Sequence, residues 1–506
     1  MADDPITRLL GSARKLEIMQ PWPRLEVDRS TWMAIGQHLG GGAGDLLSLW
    51  AEAGFVHLAL RAAGLDHPCV LSLTIEHNAF PSVGQFHPPA IRLERAIQDL
   101  YGFIAEGAAD TRPWLDHGAW GISAPLGRQT PAARRDPADY KFLPVKGSGL
   151  HQIPVGPIHA GIIEPGHFRF SVNGEIVARL EQRLGYVHKG IDGLLAGCDI
   201  DQGARVAARI SGDSTVAYSF AYACAAEAAL GIEVPPRARL LRGIMAELER
   251  VANHLGDIGA ICNDASFVLA HAHCGILREQ ILASCDRAFG HRLMMDRVLP
   301  GGVATDLSRK AAADIVATLD GVAPRFAKIV SLYDETPSLQ DRTCTTGIVD
   351  RSLAARWAAG GYVGRASGRN FDTRRDLPYP PYDGASLEIP VFERGDVDAR
   401  VWVRIKEVEA SIKLLKKWLA ELPEGPVRIP LPPQSAPREG IALVEAFRGD
   451  VLIWMRIEGG KVMRAHARDA SWFQWPLLEF AINGNIVADF PLCNKSFNCS
   501  YSGHDL

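Results

Sequence analysis

The sequence predicts an α+β fold: a small N-terminal α/β domain joined to a larger, mainly helical body with peripheral β-hairpins. Three observations support this. Two stretches rich in chain-breaking residues divide the 506 residues, a length that corresponds to about three domain units or to one large and one small domain. Apolar residues spaced three and four apart recur between them, and an alternating apolar/polar segment follows the second.

In the first domain, residues 1–120, the run Leu46–Ala63 reads as helix and Cys69–Ile75 as strand, with Arg95–Leu100 ahead of a turn-rich Tyr101–His117. The run Gly40-Gly41-Gly42-Ala43-Gly44 lacks the Lys-Ser/Thr that completes a phosphate loop, and it is expected to be a turn. Residues 121–149 read as an exposed linker, because Gly118 to Gly149 carries Pro125, Pro131, Pro137 and Pro144, Arg134-Arg135 and a Gly-Ser-Gly. In the body, residues 150–506, Leu240, Leu241, Ile244, Leu248, Val251, Leu255 and Ile258 define one buried stripe of a helix from Arg237 to Ile261, with Glu247, Glu249, Arg250 and His254 elsewhere on it. A second helix is expected from His271 to Val298, stopped by Pro300-Gly301-Gly302, and a third from Asp398 to Leu422. Pro423 to Pro437, with six prolines in fifteen residues, precedes a C-terminal segment expected to fold back on the body. There Gly440–Glu458, with Gly449-Asp450, reads as a β-hairpin.

Composition excludes several classes. Hydrophobic residues make up 47% and charged residues 22%, which supports a folded core rather than disorder. Lys and Arg (54) nearly balance Asp and Glu (58), for a net charge of -4, so the electropositive footprint of a nucleic-acid binder is missing. The apolar stretch Leu46–Leu65 is interrupted by Glu52, His57 and Arg61 before the roughly 18 residues that a membrane span needs. Membrane association is therefore expected through partners. Met1–Pro5 has two aspartates and no basic start, so no secretory signal is expected. Nine scattered cysteines, without a C-x-x-C pair, argue against a disulfide scaffold or a zinc ribbon and read mostly as buried small residues.

A set of motifs then appears in order. It begins with Gly156-Pro157-Ile158-His159-Ala160-Gly161, Glu164-Pro165-Gly166-His167-Phe168-Arg169-Phe170 and Arg183-Leu184-Gly185-Tyr186-Val187-His188-Lys189-Gly190. It continues with Glu247-Leu248-Glu249-Arg250, Asn253-His254-Leu255-Gly256-Asp257-Ile258-Gly259, Asp341-Arg342-Thr343 and Gly364-Arg365-Ala366-Ser367-Gly368, then Asp372, Arg374, Arg375, Pro378 and Tyr379, and ends with Glu445-Ala446-Phe447-Arg448-Gly449-Asp450. Through these strings the chain resembles the large subunit of group 4 energy-converting nickel-iron hydrogenases of the formate hydrogenlyase type, and the related 49-kDa-type subunit of respiratory complex I. The first domain resembles the 30-kDa-type complex I subunit through Glu94-Arg95-Ala96-Ile97-Gln98-Asp99-Leu100-Tyr101-Gly102 and Trp114-Leu115-Asp116-His117-Gly118. Fusion of the two is typical of the formate hydrogenlyase branch.

That resemblance implies a nickel-iron site with four thiolate ligands from two C-x-x-C pairs, because thiolates bridge both metals. Here the string Arg-x-Cys-Gly-x-Cys corresponds to Arg209-Ile210-Ser211-Gly212-Asp213-Ser214, and the second pair corresponds roughly to Asp489–Ser496. The vestigial ligand positions are thus Ser211, Ser214, Cys493 and Ser496, and neither a nickel-iron cofactor nor another metal is expected. Cys499 lies at a spacing that the motif does not use, and the chain stops too soon after it for a processing peptide to be expected. Quinone is the ligand of the complex I branch, where the resemblance implies a His, met here by His159 or His167, and a Tyr, whose position falls on Gly212. Tyr186, Tyr218 and Tyr222 are nearby and read as core or surface residues.

Glu164, His159, His167, Asp213, Arg209, His254 and Asp257 surround the vacated site as a candidate proton relay or quinone pocket. Glu164 leads, because the matching family glutamate lies on the proton path. Lys495 is expected to pair with Asp213. The implied partners are an iron-sulfur small subunit, a ferredoxin-like subunit and membrane antiporter-like subunits. The implied place is the cytoplasmic face of the inner membrane, and the implied work is electron transfer from an iron-sulfur relay to quinone or another acceptor, coupled to ion translocation. No cofactor is expected on the chain itself, no NAD fingerprint is present, and a non-catalytic scaffold in the same kind of complex is the rival reading.

Overall fold

The computed structural model describes residues 4–506, so the Met1–Asp3 part of the opening lies outside the described residues. The chain is mixed helix and sheet. Its first 120 residues hold a five-stranded sheet ordered Arg14–Leu16, Arg24–Glu26, Cys69–Thr74, Phe55–Ala62, Gly44–Glu52. The helices Arg29–Gly40 and Ile91–Tyr101 cover one face, burying Trp32, Ile35, Leu93 and Ile97 against Leu46, Leu49 and Leu58.

The run Leu46–Ala63 is therefore not a helix but the two strands Gly44–Glu52 and Phe55–Ala62, turned at Gly54 with φ +87°. Its period was hidden because both faces are buried. Leu46 and Leu49 enter the core shared with the helices, while Leu47 and Trp50 meet Ile441, Leu452 and Trp454 of a second sheet on the other side. A strand covered on both faces loses the polar residue at every second position. The glycine run at 40–44 is a turn between helix and strand, with Gly42 at φ +82°.

That second sheet comes from the C-terminal segment. Arg438–Ala446, Gly449–Glu458 and Lys461–Arg468 form an antiparallel meander, to which Met19–Gln20 adds a short parallel strand. The expected hairpin is present, and its two-residue turn is Phe447-Arg448 rather than Gly449-Asp450. The third strand had not been anticipated. Arg24 crosses between the sheets, with Glu439 and Glu52 as ion-pair partners and Ser72 Oγ accepting from its Nε at 2.8 Å.

The body is built on the helices Thr215–Leu230, Pro236–Asp264, Val268–Phe289, Arg309–Asp334 and Val397–Ala420. Pro236–Asp264 is enclosed on nearly every side, so Glu247, Glu249, Arg250 and His254 are buried along with the apolar stripe. The helix after it ends at Phe289, earlier than expected, because Gly290 adopts φ +72° and caps it. Val298–Leu299 and Gly302–Val303 then form a tight ribbon about Pro300-Gly301. Leu150–Val155, His167–Asn173 and Ile176–Arg183 form a three-stranded antiparallel sheet. The loop joining the first two of these strands carries His159 and Glu164, and it leaves Ile158 (89%) and Ile162 (101%) exposed. Six of the cysteines are buried and all nine are free thiols.

The strand Arg438–Ala446 lies so close to the helix Thr215–Leu230 that a Cβ on Gly440 would sit 1.8 Å from the Ala225 carbonyl oxygen. Gly440→Ala is therefore expected to cost about 1–3 kcal/mol and to lower the Tm. Gly275→Ala, which meets open space on a helix, is expected to leave the Tm unchanged or slightly raised. Calorimetry of the two variants checks this.

Candidate functional site

The segment Arg209–Ser214 lies between the helices Ile200–Ala207 and Thr215–Leu230, as an extended Ser211 followed by a single turn. Ser211 Oγ donates to Asp213 Oδ1 at 2.9 Å and shares a hydrogen bond with Ser500 Oγ at 2.8 Å. Arg448, at the turn of the C-terminal hairpin, closes on Asp213 with both guanidinium nitrogens, Nη1 to Oδ1 being 2.8 Å. The same Nη1 donates to Ser214 Oγ at 3.1 Å, and Nε donates to the Asn498 carbonyl. Burial works to raise the Asp213 pKa, but Arg448 outweighs it and holds the carboxyl at about 2. Arg448 is 5% exposed and Asp213 38%, so the pair is open on the carboxylate side.

The expected pairing of Lys495 with Asp213 gives way to this arrangement. Lys495 Nζ instead lies 3.4 Å from Asp257 and donates to Asn498 Oδ1 at 2.9 Å. The C-terminal segment that meets Ser211 is not Cys493 or Ser496 but Ser500, whose hydroxyl accepts from Gly503 N at 2.9 Å. Cys493 and Ser496 sit on the helix Phe490–Phe497, away from Ser211. Ser496 Oγ accepts from Arg400 Nε at 2.9 Å and donates to the Cys493 carbonyl at 2.6 Å, while the Cys493 thiol packs on Gly347. Asn498, at φ +45°, ends that helix and turns the chain toward the site. Ser211, the first position of Ser211-x-x-Ser214, thus meets Ser500, the first position of Ser500-x-x-Gly503, which has the same internal spacing.

Glu164 stands beside this cluster and accepts from both Ser502 N and Ser502 Oγ at 3.3 Å. Lys189 Nζ donates to the Ile210 and Ser502 carbonyls at 3.1 and 3.2 Å. Burial lowers the Lys189 pKa, and the charges of Glu164 and Asp505 oppose that. The two histidines brace the loop that carries Glu164: His159 Nε2 bonds to the Gly166 carbonyl at 2.7 Å and His167 Nδ1 to the Gly156 carbonyl at 3.2 Å. Burial lowers the His167 pKa, which favours the neutral ring.

The remaining candidates point elsewhere. Arg209 forms a two-pronged pair with Asp296 at 2.7 and 2.9 Å on the surface. Asp257 binds Arg404 Nε at 3.2 Å and Asn498 Nδ2 at 2.9 Å. His254 Nε2 bonds to Glu407 at 2.7 Å within a buried group of charges. There Arg365 gathers Glu407, Glu445 at 3.0 Å and Asp372 at 3.1 Å. Burial lowers the His254 pKa, so this ring is a structural donor. Tyr218 and Tyr222 are core residues, their hydroxyls held by Asp469 and the Ile200 carbonyl.

Three functional residues were missed: Arg448, Ser500 and Glu249. Glu249 Oε2 and Oε1 accept from Val216 N at 2.7 Å and Ala217 N at 3.1 Å, capping the helix that begins beside Asp213. Burial, assisted by the Asp213 charge, pushes its carboxyl up to about 8, so it holds a proton at neutral pH. The strings containing Arg448 and Glu249 were visible in the sequence, but their meeting with Asp213 is a product of the fold.

The family model for the respiratory-chain NADH dehydrogenase 49 Kd subunit matches residues 269–440. Formate hydrogenlyase subunit 5 of Escherichia coli is 31% identical over 451 residues, covering 86% of this chain and 79% of that one. The carbon monoxide-induced hydrogenase of Rhodospirillum rubrum is 32% identical over 351 residues, covering 69% of this chain and 97% of that one. One of the NADH-quinone oxidoreductase subunits of Rhizorhabdus wittichii is 31% identical, covering 67% and 91%. Among solved structures, a chain of the membrane-bound sulfane sulfur reductase, an archaeal respiratory membrane complex, superposes with a TM-score of 0.67 at 25% identity, covering 72% of this chain and all of that one.

Two measurements follow from the site. Glu249 titrates near 8 when folded against an ordinary 4.5, so the stability it permits is complete below about 4.5 and declines as pH rises toward 8. One proton corresponds to about 1.4 kcal/mol per pH unit, and Glu249→Gln is expected to remove that slope from urea unfolding between pH 5 and 8. In a double-mutant cycle, Asp213→Asn and Arg448→Met are expected to couple by about 1–3 kcal/mol, toward the low end because the carboxylate is partly solvated. The pair's contribution is present above the ordinary Asp value of 3.8 and is lost as pH falls toward 2.

Proposed function

We propose that this chain, which belongs to the family of the large subunits of energy-converting hydrogenases and respiratory complex I, serves in a membrane-associated oxidoreductase complex of that kind. It receives electrons from an iron-sulfur relay in a neighbouring subunit and passes them to quinone or another acceptor, coupled to ion translocation. Its partners are an iron-sulfur small subunit, a ferredoxin-like subunit and antiporter-like membrane subunits. Among the described residues no helix is long and apolar enough to cross a membrane, and in this reading the chain is held peripherally by those partners, on the cytoplasmic face. The division into residues 1–120, 121–149 and 150–506 belongs to the same reading. It is supported by a five-stranded sheet confined to the first part and by the mostly exposed chain that follows.

The residues at the vacated site do not fit a nickel-iron group. Such a group needs soft thiolates, whereas the residues that meet here are the hydroxyls of Ser211 and Ser500, with Ser214 bonded to Arg448. Alcohol hydroxyls ionise too reluctantly to replace thiolates, and the Arg448 cation repels a metal ion. The nearest sulfurs turn away: Cys499 toward Gln474 Oε1 at 3.9 Å, and Cys493 toward Gly347, with burial pushing the Cys493 thiol up to about 11. Without the metal the site offers fixed charge and exchangeable protons. Asp213 and Arg448 set a field beside the acceptor, Glu249 stores a proton, and Glu164 with Ser502 leads toward the loop surface.

What supports this reading is the Asp213–Arg448 ion pair lying between Ser211 and Ser214, the positions that match the cysteines of the hydrogenase motif, with Glu164 bonded to Ser502 nearby. The test is Glu164→Gln in the native membrane complex, followed by reduction of a short-chain quinone by a viologen donor and by proton uptake into inverted vesicles. Coupled activity is expected to fall at least tenfold with the assembly intact on native gels. Unchanged coupled activity would reduce the subunit to a scaffold.

A further inference from the structure

A cavity of about 460 Å³ opens where the N-terminal sheet, the 120–126 part of the linker and the body meet. Its size lies within the roughly 300–1,000 Å³ of small-molecule sites. Leu93, Ile97, Leu100 and Leu126 make apolar walls, and Trp50 and Trp120 supply ring faces. The linker is held in place as one wall by Leu126 N donating to the Leu100 carbonyl at 2.9 Å. This cavity touches the Asp213 cluster only through Lys189, whose ammonium donates to the Ile210 and Ser502 carbonyls, and none of Ser211, Asp213, Arg448, Ser500 or Glu164 lines it.

The same cavity is lined by one carboxylate, Asp192, which is 8% exposed. Its Oδ1 has no hydrogen-bond partner, and the ring nitrogen facing its other oxygen, His466 Nδ1, is 3.6 Å from Oδ2 and beyond hydrogen-bond range. His466 is committed elsewhere, through Nε2 to Ser48 Oγ at 2.8 Å and by stacking on Trp50 at 5.1 Å. Lys189 also lines the cavity, but carbonyls occupy its ammonium. A buried carboxylate oxygen without a donor is costly, and a ligand that brings a donor to Oδ1 removes that cost.

We propose that this cavity is a binding site for a small amphiphile, an apolar ring or chain body carrying one hydrogen-bond donor that pairs with Asp192. The apolar walls take the body, the indole faces of Trp50 and Trp120 favour a flat one, and the carboxylate selects a hydroxyl or an ammonium over a group that only accepts. The site is independent of the proposed electron-transfer role and stands whether or not that role does.

The test is calorimetric titration of the purified full assembly with naphthalene, 2-naphthol and 2-naphthylmethylammonium. One saturable site per chain is expected, with at least one of the two donor-bearing probes binding tenfold or more tighter than naphthalene; which of them wins distinguishes a hydroxyl from an ammonium ligand. Asp192→Ala is expected to erase that preference while naphthalene still binds. Ile97→Trp, which fills the cavity, is expected to block all three, and Leu126→Trp does the same from the linker wall should Ile97→Trp fail to fold. Absence of saturable binding, equal binding of all three probes to the unaltered protein, or binding that survives the filling variants overturns the proposal.

Discussion

The Arg448 guanidinium is enclosed where the C-terminal hairpin turn, the 211–214 loop and the final segment converge, and a cation enclosed there without its counter-charge would cost about 3–5 kcal/mol. Asp213 supplies the counter-charge and takes two of the five donors, and the Ser214 hydroxyl and Asn498 carbonyl take one each. Fixing Arg448 in turn fixes its own backbone, whose carbonyl accepts from Gln474 Nε2 at 2.7 Å. That carbonyl lies so close to Gly361, at φ +59°, that a Cβ there would meet it at 2.0 Å. One ion pair thus sets the approach of the hairpin, the 360–366 turn and the C-terminal segment to one another.

Around this pair the ionisable groups divide by their partners. Glu407, Glu445, Asp372 and Glu247 are answered by Arg250, Arg365 and Arg374, and so they hold helices and strands together at depth. Glu249 is buried with no paired cation and has a like-charged neighbour in Asp213, and burial first, then that charge, keep its proton on against the pull of its backbone donors. His159 and His167 each spend one ring nitrogen on the backbone of the loop that carries Glu164, and His167 Nε2 accepts from Arg169 Nε at 3.3 Å. They act on the site by shaping that loop, and Glu164 is the group that reaches the cluster.

Much of the helical body was legible in the sequence, because Leu241 through Ile258 keep a helical period against one core and the 397–420 segment keeps one while also lending Ala399 and Val403 to a second. Leu46–Ala63 was not legible, since its two faces meet two different cores and its few polar residues, Ser48, Glu52, His57 and Arg61, are too widely spaced to mark the alternation. In the site, Ser211, Asp213 and Ser214 were readable because a local spacing is preserved. The C-terminal register was not: Cys493 is the conspicuous residue in that segment, whereas Ser500 is the one that makes contact, and only the turn at Asn498 decides between them. Arg448 lies 235 residues from Asp213, and no local pattern announces such a pairing.

The account rests on an oxygen-lined, ion-paired site in place of a metal centre. The most direct measurement is plasma mass spectrometry of nickel and iron in the purified native assembly, counted against this chain. The account predicts no nickel, with iron accounted for by iron-sulfur partners. Nickel near one per chain would contradict it and return Ser211 and Ser214 to the role of metal neighbours.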